Sequence, residues 1–212
     1  EKTLEVFTSD NGSNRRFGGS NLPLRGGKGT TGEGGQRLAC IARWAGTIPG
    51  RRTCSEVVTS MDFLPTFAGL AGAKVPDDRI IDGRDVWALM KGEGGAKSPH
   101  EAFFYYLRGR LEAVRCGKWK LHCAKGQRDI CELYDLESDV RESANLAERH
   151  PEVVAELGER LEECRRDIGD RRTGVEGENR RPIGRVPEGR TLTTYDPNHP
   201  YIIAEYDLPH FG

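Results

Sequence analysis

An acid and an amide, Asp10 and Asn11, stand side by side where the apolar run "EVFTS" breaks off, and a single lysine, Lys28, follows among glycines in "LRGGKGTT". A carboxylate beside an amide carbonyl is a pair of hard oxygen donors suited to calcium or magnesium. In open α/β sheets such ligands gather outside the carboxyl ends of the strands. If the glycine-rich loop folds back over the strand end, the ammonium of Lys28 comes close to the metal, and the two together can hold a doubly charged oxyanion. The same four residues "SDNG" also read as a plain Asx turn with no ligand role. On these residues alone both readings stand.

These groups need a scaffold. "TLEVF" is a short β-prone run, interrupted by Glu5 and closed by Ser9, Asp10, Asn11 and Gly12, as a strand is on leaving a sheet. Leu38 to Gly46 reads as a second strand, and Ser55 to Gly72 carries Met61, Leu64, Phe67 and Leu70 at helical spacing. This is α/β punctuation. A parallel sheet needs neighbours on its strands and cover on both faces, and this half offers only about two strands for one. A Gly, Lys and Pro rich stretch, Gly92 to Pro99, then separates two compositionally different halves.

Beyond it, "EAFFYYL", "LEAVRC", "KWKLHC" and "CELYDL" predict an antiparallel meander with Gly109 and Gly117 at two of its turns. From Pro151, well placed at a first helical position, Val153, Val154, Leu157, Leu161, Cys164 and Ile168 form one stripe that ends near Gly169. A helix covering its own small sheet is the economical reading. The expected organisation is a first segment over 1–96, a small antiparallel-sheet and helix domain over 97–170, and an extended tail over 171–212 that wraps the surface.

Composition narrows the partners. At 212 residues the chain can bury a real core. With 32 Lys plus Arg against 33 Asp plus Glu, it offers no broad basic face for a nucleic-acid backbone. No run of about 18 apolar residues suggests a membrane span, and "EKTLEVF" has neither a basic n-region nor a cleavage site. Six cysteines show no C-x-x-C pair and no common zinc spacing. Disulfides and free thiols both remain open for them. "GKGTTG", Gly27 to Gly32, matches G-x-G-x-x-G by letter, but a β-prone run follows it where a dinucleotide site needs a helix, and Gly29 stands where a P-loop needs Ser or Thr.

"FTSDNG", "LRGGKGTTGEGG", "CIARWAGTIPG", "MDFLPTFAGLAGA" and "IDGRDVWALMKGE", in this order, resemble the C-terminal half of the arylsulfatase type of sulfatase, within the alkaline phosphatase superfamily. "FFYYLRGRLEAVRCGKWKLH" and "LYDLESDVRESANLAERHPEVVAEL" resemble that family's small C-terminal domain. The resemblance implies the C-terminal part of an alkaline phosphatase-like α/β domain followed by a small α+β domain. It implies a sulfuric ester hydrolase in which Asp10 and Asn11 bind Ca2+ and Lys28 binds the substrate sulfate. The substrate would be a sulfated small molecule or carbohydrate, and the compartment periplasmic or secreted.

Two departures stand out. Gly32 occupies a position where the family usually has an aromatic residue, and Glu5 interrupts a usually apolar strand. No cysteine or serine carries the C-x-P-S-R or S-x-P-x-R pattern whose first residue becomes formylglycine. The resemblance therefore predicts a C-terminal portion whose nucleophile lies in a missing N-terminal part, inactive by itself. A phosphodiesterase or phosphonate hydrolase of the same superfamily, and a non-catalytic binding fragment, are the alternatives. The Asp-Asn pair, where phosphoesterase relatives tend to show Asp-His, favours the sulfatase.

Overall fold

The computed structural model describes residues 2–181 and 184–188. Residues Glu1–Asn179 pack as one compact unit. The apolar tail "YDPNHPYIIAEYDLP", expected to wrap the surface, lies outside the described residues.

Four strands, β3 (Phe103–Leu107), β4 (Arg110–Cys116), β5 (Trp119–Lys125) and β6 (Arg128–Asp135), form an antiparallel meander in chain order, as the tight turns between the apolar runs predict. The edge strand β6 is not left bare. Asn145 accepts from the Leu133 N–H at 2.9 Å and donates to the Cys131 carbonyl at 3.0 Å, which supplies with a side chain what a fifth strand would supply with backbone.

Helix α4 (Pro151–Ile168) lies on one face of this sheet. Leu157, Leu161 and Cys164 of its stripe meet Leu111, Val114, Leu121 and Leu133, with Val153 and Val154 at the margin. Ile168, expected in the same stripe, is 42% exposed, because it is the helix's last residue and the chain turns away at Gly169. Pro151 fits the first turn, where its missing N–H costs nothing, and Arg165 and Arg166 sit in the last turn, where cations favour the helix dipole. Asp170–Asn179 fold back on this end. Glu178 and Asn179 donate N–H groups to the carbonyls of Arg166 and Asp167, and the buried Asp170 carboxylate takes the Arg165 guanidinium at 3.1 Å.

The first half is more open. Strands β1 (Glu5–Thr8) and β2 (Cys40–Arg43) form a two-stranded ribbon. The α/β punctuation points to a parallel sheet, but this pair is antiparallel, with Glu5 opposite Arg43 and Thr8 opposite Cys40. The physical reason is the long loop between them, which doubles back on itself so that β2 returns beside β1. Glu5 is accommodated by an ion pair with Arg43 across the ribbon. Helix α1 (Glu33–Gln36) is a single turn after the glycine loop, where the sequence suggested a β-prone run. Helix α2 (Phe63–Leu70) forms as its spacing predicts, yet it buries Thr66, whose hydroxyl accepts from the Val86 N–H at 3.0 Å. Helix α3 (Trp87–Lys91) follows and contributes Leu89 to the interior.

Met61, Leu64, Phe67 and Leu70, the predicted stripe of α2, are all exposed, Leu64 by 55%. Phe7 on β1 is exposed by 74% and Ile41 on β2 by 61%. Apolar residues on β1, β2 and the α2 segment are thus exposed.

The segment between the halves is tethered. Ser98 donates its N–H to Glu56 at 2.9 Å and its hydroxyl to the Val57 carbonyl at 2.6 Å. His100 Nε2 lies 2.7 Å from Oδ1 of the buried Asp62. Among the described residues no helix is long and apolar enough to cross a membrane. All six cysteines are free thiols, with Cys164 buried under the sheet and Cys40, Cys54 and Cys131 exposed.

Candidate active-site loop and its buried anchor

The chain leaves β1 through Ser9, Asp10, Asn11 and Gly12, and the glycine loop folds back against that exit. The Gly12 N–H donates to the Gly35 carbonyl at 3.0 Å, and the Lys28 N–H donates to the Ser13 carbonyl at 3.2 Å. Asn21 ties the two segments together by accepting from the Ser13 N–H at 2.8 Å and donating to the carbonyls of Ser13 and Gly26. The approach is close enough to require glycine. A Cβ on Gly12 would lie 1.8 Å from the Gly34 carbonyl oxygen.

The fold-back anticipated from the sequence is therefore present, and it brings the backbone of Lys28 beside the strand exit that carries Asp10 and Asn11. Lys28 and Asp10 are exposed and Asn11 is half-buried, so all three can meet a ligand at the surface. The Asn11 amide nitrogen donates to the Asp10 carboxylate. Among the described residues no group of three or more His, Cys, Asp and Glu is placed to hold a metal. Gly32 also finds its reason here. A Cβ at that position would come within 2.6 Å of the Arg25 carbonyl, which leaves no room for the aromatic side chain expected from the resemblance.

Beneath the loop lies a cluster that the sequence reading did not single out. Lys120 on β5 is fully buried; its ammonium donates to the Thr31 carbonyl at 2.8 Å and to Glu33 Oε1 at 2.9 Å, and it forms an ion pair with Glu142 Oε1 at 3.0 Å. The same ammonium sits 4.0 Å from the ring centroid of Tyr105, whose hydroxyl donates to Glu33 Oε1 at 2.8 Å. Glu142 closes the circuit by accepting from the Glu33 N–H at 2.8 Å and pairing with His122 Nε2 at 2.8 Å.

Further polar contacts flank this centre. The Thr31 hydroxyl donates to Glu112 at 2.8 Å. Arg25 donates to the Tyr134 hydroxyl at 2.8 Å and to Glu132 at 3.2 Å. The face of the sheet opposite α4 is thus covered by the glycine loop, which meets it through polar and charged groups.

Burial raises the carboxyl of Glu142, but the His122 hydrogen bond, the Lys120 charge and the Glu33 N–H outweigh it and hold the group down at about 2. Glu142 also adopts a left-handed backbone, φ 53°, uncommon for a side chain of its size, and its own carbonyl accepts from Arg25. Burial, and then the adjacent Glu33, push the Tyr105 hydroxyl well up, so it remains a proton donor to that carboxylate.

A pH prediction follows from Glu142. A carboxyl depressed in the folded state adds stability above its unfolded value of 4.5 and loses it as pH falls toward 2. The expected loss across that window is about 3 kcal/mol, read from urea midpoints between pH 7 and pH 2. Glu142→Gln should flatten that part of the curve. Parallel acid destabilisation of both proteins would show that Glu142 is not its source.

Residues 30–167 match the family described as N-sulphoglucosamine sulphohydrolase, C-terminal, and so take in the loop's base, the meander and nearly all of α4. The chain belongs to the sulfatase family. This sulfatase chain is 44% identical over 122 residues to steryl-sulfatase of Mus musculus, covering 54% of the chain and 19% of that relative. It is 46% identical over 126 residues to arylsulfatase of Hemicentrotus pulcherrimus, covering 58% and 22%. The matched region thus spans about a fifth of the length of these relatives.

Among solved structures, the sulfatase chain is similar to Ps i-CgsB in complex with k-i-k-neocarrahexaose, with TM-score 0.67 and 29% identity over 83% of this chain and 39% of that one. It is also similar to BT4656 in complex with its substrate D-glucosamine-2-N,6-O-disulfate, with TM-score 0.55 and 26% identity over 76% and 35%. Lys28, Asp10 and Asn11 all precede the matched family span. The buried anchors Glu33, Lys120 and Glu142 lie inside it.

Proposed function

We propose that this sulfatase chain is the C-terminal portion of an enzyme that hydrolyses sulfate esters, with the nucleophile carried in an N-terminal part. Asp10 and Asn11 contribute metal ligands and Lys28 binds the sulfate. The observation that carries this reading is the fold-back of the glycine loop, which ties the Lys28 backbone to the strand exit of Asp10 and Asn11. The outward apolar residues of β1, β2 and α2 give an N-terminal part a surface to cover. Residues 1–96 would then complete a larger catalytic domain, with 97–170 as its C-terminal companion.

The pair Asp10 and Asn11 fits a calcium ion as part of a ligand set. Both present hard oxygens near the surface, and turning the Asn11 amide over places its oxygen where the nitrogen now faces Asp10. Calcium takes about six to eight oxygens, so other residues must complete the sphere. When bound, calcium would polarise the nucleophile and a sulfate oxygen, and formylglycine would supply the attacking hydroxyl. Lys28 holds a negative sulfate oxygen and steadies the charge that builds there in the transition state. Its ammonium is a point charge on a flexible stem, suited to an oxyanion that must later leave.

Sulfated carbohydrate is the favoured substrate class, by analogy with the glucosamine disulfate complex of the related structure. The test is turnover of an aryl sulfate and an aryl phosphodiester, side by side, by the protein carrying its N-terminal part. Calcium-dependent preference for the sulfate is expected. Preference for the phosphodiester would replace the sulfatase reading by a phosphoesterase one.

A further inference from the structure

We infer that the polar face of the meander is the positioning device for the sulfate-binding lysine, with Lys120 and Tyr105 as positioning residues that act through Glu33 on the loop carrying Lys28. The inference rests on the assignment of Lys28 to the sulfate and adds to it a role for the C-terminal sheet. Among the described residues the Lys28 side chain makes no hydrogen bond or ion pair with the sheet. Its place is set by the backbone of residues 25–35.

That backbone is fixed at two levels. Within the loop, the Gly34 N–H donates to the Arg25 carbonyl at 2.7 Å and the Thr30 N–H to the Gly27 carbonyl at 3.0 Å. The Thr30 hydroxyl donates to that same carbonyl at 2.8 Å. These bonds shape the loop but do not attach it to anything. Attachment comes from two sides: the strand exit holds the loop through the Gly12, Lys28 and Asn21 bonds described above, and from below Lys120 binds the Thr31 carbonyl and the Glu33 carboxylate together, Glu142 holds the Glu33 N–H, and Arg25 reaches Tyr134 and Glu132. Thr31 and Glu33 are close neighbours of Lys28 in sequence, so a shift of either is transmitted along a few backbone bonds to the ammonium.

The construction is unusual for a purely structural contact. An apolar pair would hold the loop on the sheet more cheaply, because taking two carboxylates and an ammonium out of water is costly. What charged hydrogen bonds add is direction. Two bonds from one ammonium to the loop base, at 2.8 and 2.9 Å, leave that base one register on the sheet, and the ion pair with Glu142 at 3.0 Å holds the ammonium itself. Glu33 Oε2 is the exception, buried without a hydrogen bond and 3.6 Å from Arg115. Its sister oxygen is shared by Lys120 and Tyr105, so the carboxylate is aimed by one atom.

The experiment is a coupling cycle in the protein carrying its N-terminal part, with p-nitrophenyl sulfate as substrate. Tyr105→Phe removes one bond to Glu33 and leaves every charge in place, and Lys120→Met combined with Glu33→Gln removes the central pair without stranding that carboxylate. The paired variant should lower kcat by about 100-fold, the scale of misplacing a reacting group by about 1 Å, and Tyr105→Phe by about 10-fold. In a Lys28→Ala background each should cost less than about twofold, since the lysine they position is gone.

Hydrogen exchange on the 212-residue chain gives a second readout, in which the amides of Lys28, Thr30 and Gly34 should exchange at least about tenfold faster in either variant. Should the paired variant fail to fold, Tyr105→Phe carries the cycle. Losses that persist undiminished in the Lys28→Ala background, with Lys28→Ala itself slow, overturn the inference and leave the role of Lys28 standing. A Lys28→Ala enzyme as fast as its parent removes the assignment of Lys28 and this inference together.

Discussion

Lys28→Ala in the protein carrying its N-terminal part is expected to lower kcat on an aryl sulfate by about 10²–10³-fold, or about 2.7–4 kcal/mol of transition-state stabilisation, as removal of one preorganised electrostatic donor does elsewhere. The loop should keep its shape in this variant. Lys28 is exposed, its backbone N–H bond to Ser13 does not involve the side chain, and the anchor beneath uses other residues. Thermal stability should therefore change little, and a loss confined to turnover separates a ligand group from a structural one. Unchanged turnover would mean that the ammonium does not face the sulfate.

Lys120→Met, which should also slow turnover through the loop, has the largest expected effect on stability. Methionine fills the space but leaves Glu33 and Glu142 buried on either side of a missing cation, with the Thr31 carbonyl unpaired. Removing one partner of a buried ion cluster typically costs about 3–5 kcal/mol, and a comparable loss is expected here in urea denaturation. Adding Glu33→Gln should recover part of it by removing one of the stranded charges. A loss below about 1 kcal/mol for Lys120→Met would show that water reaches the cluster and that the loop is held by something else.

The legible parts of this chain are those whose cause is local. Short strand-like runs such as "LEAVRC" and "KWKLHC", separated by tight turns at Gly109 and Gly117, are enough to predict the meander. The apolar stripe from Val153 to Cys164 is enough to place α4 on it. Asp10, Asn11 and Lys28 could be linked because glycines on both segments permit the close approach that Gly12 and Gly35 make.

What the pattern does not reveal is the second face of the sheet. Lys120 and His122 alternate with Leu121 and Cys123, and a polar alternate residue reads as water-facing in an antiparallel sheet. Here that face is covered by the glycine loop, which meets polar groups with Glu33 and Thr31. No spacing reveals a contact between residues as far apart in the chain as Glu33 and Lys120. A physical hint was present all the same. "GTTGEGG" sets one carboxylate between glycines on an apparent surface loop, where glycine signals close backbone approach and an acid so enclosed needs a cation. The stripe of α2 misled in the other direction. Its period predicts the helix correctly, but Met61, Leu64, Phe67 and Leu70 have no element to lie on among the described residues.

The most direct measurement on the central claim is hydrolysis of p-nitrophenyl sulfate by the 212-residue chain alone and by the same chain joined to its N-terminal part, each with and without calcium. The account predicts calcium-dependent turnover by the joined protein and none above background by the 212-residue chain. Robust turnover by the chain alone, or a joined protein that folds, binds calcium and leaves the sulfate ester intact, would contradict it.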